Sequence, residues 1–411
     1  MSIKLSFWEK HKVNIYIFGN IYATINGLMV INYIPTTSTK SLRYYLATIY
    51  CHVLSFAIII LLPLYFFWNL QYLVETKDRR WKIQLLVNFS NTFIKYCMVV
   101  VTYIANFVHY KDIRYVTKRR QSLEEEFNRI CQGLSEEPRT KFEFMLLFKF
   151  GLINAMMMVQ IAQISYQYFM GSNAVRVYFQ LYTFFLWNYT ENMADYFYFI
   201  NCSALKFLHQ LKQRIQKSYE KNRRYVRYRR HYRRTGLVGH LCCVLSDHLD
   251  SLNQRYGQIC KLYKDSVLMH QFQILGLILT TLISNLTNFF TLFSLLSKHK
   301  SYRFTDIALN CIFATVFYID TYIVTLISDR IYMEMDAIRL MVQKFSELPR
   351  LDWRLEETIE NMSFSLLTYD GRFRICGLFY LDRHLTFLTA SAGLAYFITL
   401  VQFDINWNNF K

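Results

Sequence analysis

Long apolar stretches recur along the whole chain, and seven of them reach the length of a membrane-spanning helix. A helix needs roughly 20 residues to cross the hydrocarbon layer, because each backbone amide must find its partner inside the segment. The pattern therefore predicts an all-α membrane protein with seven spans, near residues 42–68, 83–108, 144–170, 177–202, 267–296, 304–327 and 384–407.

The first apolar stretch, residues 13–34, has a different pattern. Two glycines lie in it, and four asparagines interrupt it: Asn14, Asn20, Asn26 and Asn32. Amide side chains are costly on a helix that faces lipid. We expect a re-entrant or interfacial helix before Pro35 rather than an eighth span.

The charge distribution gives the orientation of these spans. The chain has 411 residues, is 53% hydrophobic and carries a formal net charge of +18. Most Lys and Arg residues fall in the segments that are cytoplasmic if the amino terminus is inside the cell. The positive-inside rule therefore predicts a cytoplasmic amino terminus and an extracellular carboxyl terminus.

The predicted organisation has four parts. Residues 1–41 form the cytoplasmic amino terminus with its re-entrant or interfacial helix. Residues 42–328 hold the first six spans, with a basic cytoplasmic loop at 203–266. Residues 329–383 form a cytoplasmic anchor segment with amphipathic runs, and residues 384–411 form the last span and the carboxyl terminus.

The strongest local charge signal is the run KNRRYVRYRRHYRR at residues 221–234. In a soluble protein, arginines interleaved with tyrosines would suggest nucleic-acid binding. Between the fourth and fifth spans, the same charge holds the segment in the cytoplasm and meets anionic lipid headgroups. We therefore expect membrane lipids, and no nucleic acid, as partners of this run.

Catalytic and metal-binding patterns are missing from the sequence. It contains no nucleophile motif and no phosphate-binding loop, and the stretch HLCCVLSDH at residues 240–248 lacks the paired CxxC spacing of a zinc site. We expect no enzyme activity, no metal and no cofactor.

Polar and aromatic side chains recur at helical spacing in the half of the bundle predicted to face outward. Polar groups in lipid need a partner or water, so we expect these stripes to face the bundle interior. They define a candidate site for a small-molecule ligand: Asn88, Asn91, Lys95, Gln160, Gln163, Gln167, Tyr178, Tyr182, Asn285, Asn288, Phe313 and Phe317. Hydrogen bonding between helices is the alternative explanation of each stripe.

Charged side chains inside the spans also need partners. Lys95 is the only basic residue near mid-depth in the outer part of the predicted bundle, and Lys149 lies in the third span. The acids of the fourth and sixth spans are Glu191, Asp195 and Asp320. We expect Lys95 to pair with one of these acids, and the sequence does not distinguish which.

The last span carries a polar strip, formed by Thr386, Thr389, Gly393, Tyr396, Thr399 and Gln402 at spacings of three or four. One such helix cannot enclose water, but several copies around a symmetry axis can. We therefore predict a pore lined by this strip, with Leu400 or Phe403 at its constriction. A bond from Gln402 to a neighbouring helix is the alternative.

Two motifs at the end of the chain resemble the signature of the insect gustatory receptors. That family ends in Thr-Tyr, five hydrophobic residues and Gln-Phe, and this chain reads Ala395, Tyr396, FITLV, Gln402 and Phe403. The run CGLFYLDRHL at residues 376–385 is similar to the Gly-x-Phe-x-x-Asp element that precedes the last span of the family. Ala395 departs from the pattern, which has Thr there.

The resemblance implies a ligand-gated, non-selective cation channel in the plasma membrane of gustatory neurons, permeable to Na⁺, K⁺ and Ca²⁺. Subunits would form a homotetramer or heterotetramer around the seventh helix, and long cytoplasmic extensions of helices four to seven would form an anchor domain. By the same match, Tyr396, Gln402 and Phe403 are the pore and gate candidates. Gly377, Phe379 and Asp382 would join the anchor to the pore.

The ligand class and the mechanism stay open at this point. We expect a bitter or other non-sugar tastant, because aromatic residues are abundant and few charges are buried. An odorant or sugar receptor of the same superfamily is an alternative. A G-protein-coupled-like heptahelical receptor with inverted topology is another.

Overall fold

The computed structural model describes residues 7–28, 42–75, 79–130, 137–169, 174–231, 235–297, 304–369 and 371–409. Within these ranges the chain forms ten helices and one two-stranded hairpin. The helices are α1 (Phe7–Ile25), α2 (Leu42–Glu75), α3 (Arg79–Val108), α4 (Tyr110–Ile130), α5 (Glu137–Phe169), α6 (Ala174–His231), α7 (Thr235–Ser297), α8 (Phe304–Ser346), α9 (Trp353–Thr368) and α10 (Arg383–Asn409). The strands are β1 (Arg374–Ile375) and β2 (Phe379–Tyr380).

Each predicted span falls within one helix, in the order α2, α3, α5, α6, α7, α8 and α10, except that Met170 lies outside the described residues. Five helices of the described part are long and apolar enough to cross a membrane, and α2 adds a shorter apolar stretch, Tyr45–Leu61. The five are Phe89–Val108, Phe142–Tyr166, Gly236–Phe290, Cys311–Ser346 and Arg383–Gln402. The seven-span count and the orientation of the termini stay predictions.

The centre of the bundle is α6. Every residue from Glu191 to Cys202 is buried, and α6 packs against α3, α5, α7 and α8. A helix that is buried on all sides lies in the core of a bundle rather than at its surface. Its largest fully buried side chains are aromatic: Tyr189, Tyr196, Tyr198, Phe197 and Phe207. Aromatic rings are therefore the largest side chains that α6 contributes to the core.

α6 and α7 are much longer than a membrane is thick. They contain 58 and 63 residues, so each is roughly 90 Å long at 1.5 Å per residue. The segment 203–266, expected as a basic loop, is helical apart from residues 232–234, which are not described. Arg, Lys, Glu and Gln are good helix formers, which favours a helix in this basic segment.

One face of α1 packs against the bundle, and apolar residues on its other face are exposed. The Tyr16 ring meets Phe199 of α6 edge to face at 5.3 Å, and Phe18 meets Phe150 of α5 in the same way at 5.5 Å. After α1 ends, Gly27 adopts a φ of +84°, a left-handed conformation that glycine accommodates without strain. Residues 29–41 lie outside the described part of the chain, so the predicted re-entrant path stays a prediction.

A tight hairpin stands between α9 and α10. Arg374 pairs with Tyr380 and Ile375 with Phe379. Gly377 has a φ of +74° at the turn, where a side chain would be strained. The Asp382 carboxylate accepts a hydrogen bond from the Leu385 amide at 3.0 Å and so caps the start of α10. The residues predicted to join anchor and pore thus form a hairpin and a helix cap.

Candidate functional site

Four apolar side chains from three helices form a closed cluster in the bundle, called the Trp187 cluster below: Met156 of α5, Trp187 of α6, and Phe313 and Phe317 of α8. The Trp187 ring lies 4.4 Å from Phe317 and 5.3 Å from Phe313, both edge to face, the arrangement that aromatic quadrupoles favour. Trp187 is 3% exposed and Phe317 is fully buried. Two of these residues, Phe313 and Phe317, were predicted as ligand-binding.

Lys95 of α3 completes the cluster from a third side. Its Nζ atom lies 4.0 Å from the centre of the Trp187 ring, a cation–π contact. The expected ion pair between Lys95 and a buried acid is wrong for the described residues, which place no carboxylate within ion-pair distance of it. The reason is geometric: Lys95 lies over the Trp187 ring, while Asp195 and Asp320 meet Lys149 of α5.

The acids pair with Lys149 instead. Its Nζ atom lies 2.6 Å from both carboxylate oxygens of Asp320 and 2.8 Å from Asp195, with side-chain exposures of 5% or less throughout. The ammonium group therefore joins α5, α6 and α8 at one point. Glu191 lies beside this pair, and oxygens of the three acids fall within 4.8 Å of one another. A metal ion could be held by such a trio, but Lys149 already supplies the positive charge.

Amide side chains next to the Trp187 cluster bond to one another. Asn188 Nδ2 donates to Gln160 Oε1 at 3.1 Å, and the Tyr22 hydroxyl of α1 donates to Asn188 Oδ1 at 2.5 Å. This network links α1, α5 and α6. The Trp187 Nε1 group, in contrast, is buried and has no hydrogen-bond partner among the described residues. One free N–H donor therefore lies among aromatic rings.

Apart from Asn285 and Asn288, the remaining predicted ligand residues divide into three groups. Asn91 accepts a hydrogen bond from Ser284 at 3.0 Å, and Tyr182 donates to the Ile58 carbonyl at 2.9 Å, so both join helices as the alternative explanation foresaw. Gln163 is half-buried on α5. The side chains of three others lie outside the described part of the chain: Asn88, Gln167 and Tyr178.

Asn285 and Asn288 lie elsewhere, in a cleft between α7, α8 and α10 with a volume of about 460 Å³. Thr389 and Gly393 of the predicted pore strip line the same cleft. The structure thus brings two predicted ligand residues next to two residues of the last helix, which the spacing of the sequence did not indicate.

The polar strip of α10 does not stay on one face. A step of three residues turns about 300°, roughly 60° short of a full turn, so the strip winds around the helix. Thr386 is buried and shares a 2.6 Å hydrogen bond with Thr325 of α8. Tyr396, Thr399 and Gln402 are exposed, and Leu400 is half-buried. The side chain of Phe403 lies outside the described part.

Charged contacts hold the extensions of α6 and α8 together. Glu334 of α8 accepts hydrogen bonds from His209 and Lys212 of α6 at 2.8 and 2.7 Å. Burial acts to raise the pKa of the Glu334 carboxyl, but the bonds from His209 and Lys212 outweigh it, so the pKa lies below its usual 4.5. Glu334 is therefore held in its ionised form.

Trp187, Asn188 and Tyr22 were not identified from the sequence as parts of a site. Trp187 lies eight residues, about two turns, before Asp195 on α6. Because Asp195 was expected to face the bundle interior, this spacing was a weak sign that Trp187 faces it too. Nothing in the spacing connected Tyr22 to α6, because that contact spans 166 residues of sequence. Only the packing of α1 creates it.

Comparison with known proteins identifies this arrangement. The profile of the 7tm chemosensory receptor family matches residues 18–406. Gustatory receptor 10a of Drosophila melanogaster is 44% identical over 406 residues, which cover 97% of this chain and 97% of that protein. These matches confirm the resemblance that the terminal motifs carried.

Solved structures give the same fold. The olfactory receptor OR5 from Machilis hrabei in complex with eugenol superposes with a TM-score of 0.66 at 10% identity, covering 96% of this chain and 99% of that one. The same receptor without the stated ligand gives 0.64 at 9% identity with the same coverage. The likeness confirms the expected class, an all-α membrane protein.

Proposed function

The chain belongs to the 7tm chemosensory receptor family, and we propose that it is a gustatory receptor that works as a tetrameric, ligand-gated, non-selective cation channel. The family consists of chemosensory receptors, which confirms that the chain is not an enzyme. In this proposal the receptor lies in the plasma membrane of gustatory neurons with its amino terminus in the cytoplasm. The tetramer contains four copies or a mixture with related subunits.

The observation that carries the channel proposal is the exposure of α10. Only 11% of the residues in its most apolar stretch are buried, compared with 56% in α7. Yet Tyr396, Thr399 and Gln402 are polar and lie on the exposed side. Polar groups inside a membrane need water or protein partners. Copies of α10 around an axis supply both, because their polar sides face a shared pore.

The Trp187 cluster supports a ligand site in the same subunit. A bound molecule would part the rings, stack on Phe313 and Phe317, and accept a hydrogen bond from the free Trp187 N–H. The neighbouring amides of Gln160 and Asn188 already bond to each other, so few free polar groups remain for a sugar with many hydroxyls. The site favours an apolar or aromatic tastant with one acceptor, consistent with a bitter or other non-sugar compound.

The similar olfactory receptor supports a small organic ligand, since it was solved in complex with eugenol.

α8 provides the connection from ligand to pore. Phe317 lies in the Trp187 cluster, and Thr325, about two turns further along the helix, bonds to Thr386 at the start of α10. A ligand that displaces Phe317 would move α8 and thereby shift the base of the pore helix. In the proposed open state, Gln402 replaces Leu400 or Phe403 at the constriction.

The direct test is expression of the chain alone in a cell without related receptors, with current recorded during a screen of tastants. Trp187→Phe removes the N–H and keeps an aromatic ring, so the half-maximal concentration of an active tastant rises about tenfold. Trp353→Phe, the same change at an exposed site on α9, leaves it unchanged. An unaltered dose response in Trp187→Phe would remove the ligand site from the proposal.

A second variant tests the pore. Gln402→Leu lowers the single-channel conductance or alters the ion permeability ratio without changing the half-maximal tastant concentration. Phe397→Leu, on the side of α10 that meets α7, serves as control and leaves conductance unchanged. Wild-type conductance in a normally trafficked Gln402→Leu channel contradicts the pore role. Signalling that needs a G protein and carries no current supports the alternative heptahelical receptor.

A further inference from the structure

The cleft between α7, α8 and α10, called the α10 cleft below, is separate from the Trp187 cluster. Its volume of about 460 Å³ lies within the roughly 300–1,000 Å³ of typical small-molecule sites. Phe289 and Leu292 of α7, Ala314 of α8, and Ala390 and Leu394 of α10 supply its apolar walls. None of the described residues that line it is charged. Its occupant therefore has to be uncharged and mainly apolar.

Two hydroxyl groups that line the α10 cleft are occupied within their own helices. The Thr389 hydroxyl donates to the Leu385 carbonyl at 2.7 Å, and the Thr315 hydroxyl donates to the Cys311 carbonyl at 2.8 Å. Asn288 differs from them, because its amide nitrogen is buried and has no hydrogen-bond partner among the described residues. Rotation of the amide about χ2, which is a soft torsion in asparagine, turns this donor toward the cleft. An unmade bond of this kind favours a ligand with an acceptor.

Gly393 leaves room in the wall formed by α10. The residue is buried, yet a Cβ atom added to it would meet no other atom within 4 Å. The backbone of α10 therefore borders open space at this position. A Cβ atom at this position would occupy part of the α10 cleft without colliding with a neighbouring helix.

We propose that the α10 cleft binds an uncharged, mainly apolar small molecule that carries one hydrogen-bond acceptor, such as an ester carbonyl, directed at Asn288. The rim of the cleft includes the exposed residues Cys311 and Leu394, so the molecule enters sideways from the hydrocarbon layer. Bound there, it touches α10 directly. The site can act on the last helix without passing through the Trp187 cluster.

The test is photolabelling of the purified full-length receptor in lipid nanodiscs. The probe is the methyl ester of a long-chain fatty acid with a diazirine in its chain, and labelled residues are identified by peptide mass spectrometry. We expect saturable labelling at residues 285–292, 311–318 and 389–394, which the unlabelled ester competes away. A second arm uses phosphatidylcholine with the same diazirine chain, and this lipid labels the exposed apolar faces of the bundle without preference for the cleft.

Three variants locate the site. Gly393→Leu fills the α10 cleft and reduces cleft labelling at least about tenfold, by steric exclusion. Gly151→Leu is its matched control, because Gly151 is an exposed helix glycine on α5 with open space around its Cα, and it leaves labelling unchanged. Asn288→Leu keeps the size of the side chain, removes the donor and weakens labelling about five- to tenfold. Gel filtration verifies that each variant is folded.

Several results would overturn the site. One is labelling spread evenly over apolar surfaces, and another is an equal loss in Gly393→Leu and Gly151→Leu. Equal labelling of the cleft by the phosphatidylcholine arm would assign it to bulk lipid. If a short bifunctional thiol reagent joined the Cys311 residues of two copies, that result would assign the α10 cleft to a contact between subunits. Labelling is measured without current, so its failure is distinct from failure of the channel proposal.

Discussion

The interior around α6 and the outer side of α10 both place polar side chains among apolar helices. They differ in where these side chains find their partners. Around α6, several polar groups meet partners in their own subunit: Lys149 meets two aspartates, and Asn188 meets Gln160 and Tyr22. On α10, Tyr396 and Gln402 are exposed. The first region supplies these partners within one subunit, whereas the second has polar groups that further copies could cover.

The difference teaches that burial, rather than polarity, separates the residues that stabilise the subunit from the proposed pore residues. A polar residue whose bonds are satisfied inside the protomer contributes to its stability. A polar residue left exposed on an apolar helix instead influences whether water or another subunit contacts that helix. Substitutions in the two regions should therefore affect different measurements, and those at buried groups should lower the free energy of unfolding most.

Lys149→Met should have the largest effect. It leaves Asp195 and Asp320 buried without their counter-charge, and breaking a buried pair in this way typically costs about 3–5 kcal/mol. We expect a marked fall in the midpoint of thermal unfolding in detergent and little receptor at the cell surface. Adding Asp320→Asn to this variant should restore part of the loss, because it removes one of the unpaired charges.

The control for this prediction is Arg354→Met. Its partner Asp247 lies at 2.6 Å, but the two side chains are 49% and 65% exposed, and exposed pairs contribute little. If the Lys149→Met receptor unfolded at the wild-type temperature, the contact of Lys149 with Asp195 and Asp320 would not stabilise the subunit. The contrast between the α6 interior and α10 would then be wrong.

Two threonines of α10 sharpen the comparison within one helix. Thr386→Val removes a buried hydroxyl that bonds to Thr325, and we expect a loss of about 1 kcal/mol. Thr399→Val has the same chemistry at an exposed site, so stability should change by no more than about 0.5 kcal/mol while conductance changes. Thermal unfolding and single-channel recording separate the two. Equal destabilisation by both variants would show that the different burial of Thr386 and Thr399 has no effect on stability.

The pH dependence of the α6–α8 contact should have the smallest effect, because its groups are partly exposed to water. The folded-state pKa of Glu334 lies below its usual 4.5, so ionised Glu334 stabilises the folded state above that pH. This stabilisation is lost as the pH falls below 4.5 toward the folded-state pKa. We expect wild type to exceed Glu334→Gln in unfolding temperature at pH 7, with the gap closing in acid.

The matched control is Glu347→Gln, since Glu347 is exposed beyond the end of α8. Its unfolding temperature should follow wild type at every pH. A gap for Glu334→Gln that stays constant down to pH 3 would mean that the lost contact is not the ionised pair.

Sequence patterns predicted the helices well because membrane insertion is a local requirement. Each span must satisfy its own backbone bonds and must be long enough to cross, so apolar length alone located α3, α5 and α8. The terminal motifs predicted the family because they lie close together in the chain. The hairpin was not predicted, although Gly377 was named, since its strands have only two residues each and leave no alternating pattern.

The partners of buried polar groups could not be predicted in the same way. The sequence led us to expect an acid beside Lys95, and only the packing of α5 against α6 and α8 gave two of the acids to Lys149. The strip on α10 was read as one face, whereas its three-residue steps carry it around the helix. Neighbours in space are decided by how helices rotate against one another, and no local pattern encodes that angle.

The sequence by itself thus determined that this chain is a helical membrane protein, that its last helix carries polar groups among apolar ones, and that its terminal motifs are those of gustatory receptors. Tertiary structure decided that Trp187 holds a free N–H among rings, that Lys149 joins three helices, and that Asn288 and Gly393 border one cleft. The physical reason is range: hydrophobic length and helix period act within a segment, whereas hydrogen bonds and cavities depend on side chains that are distant in the sequence.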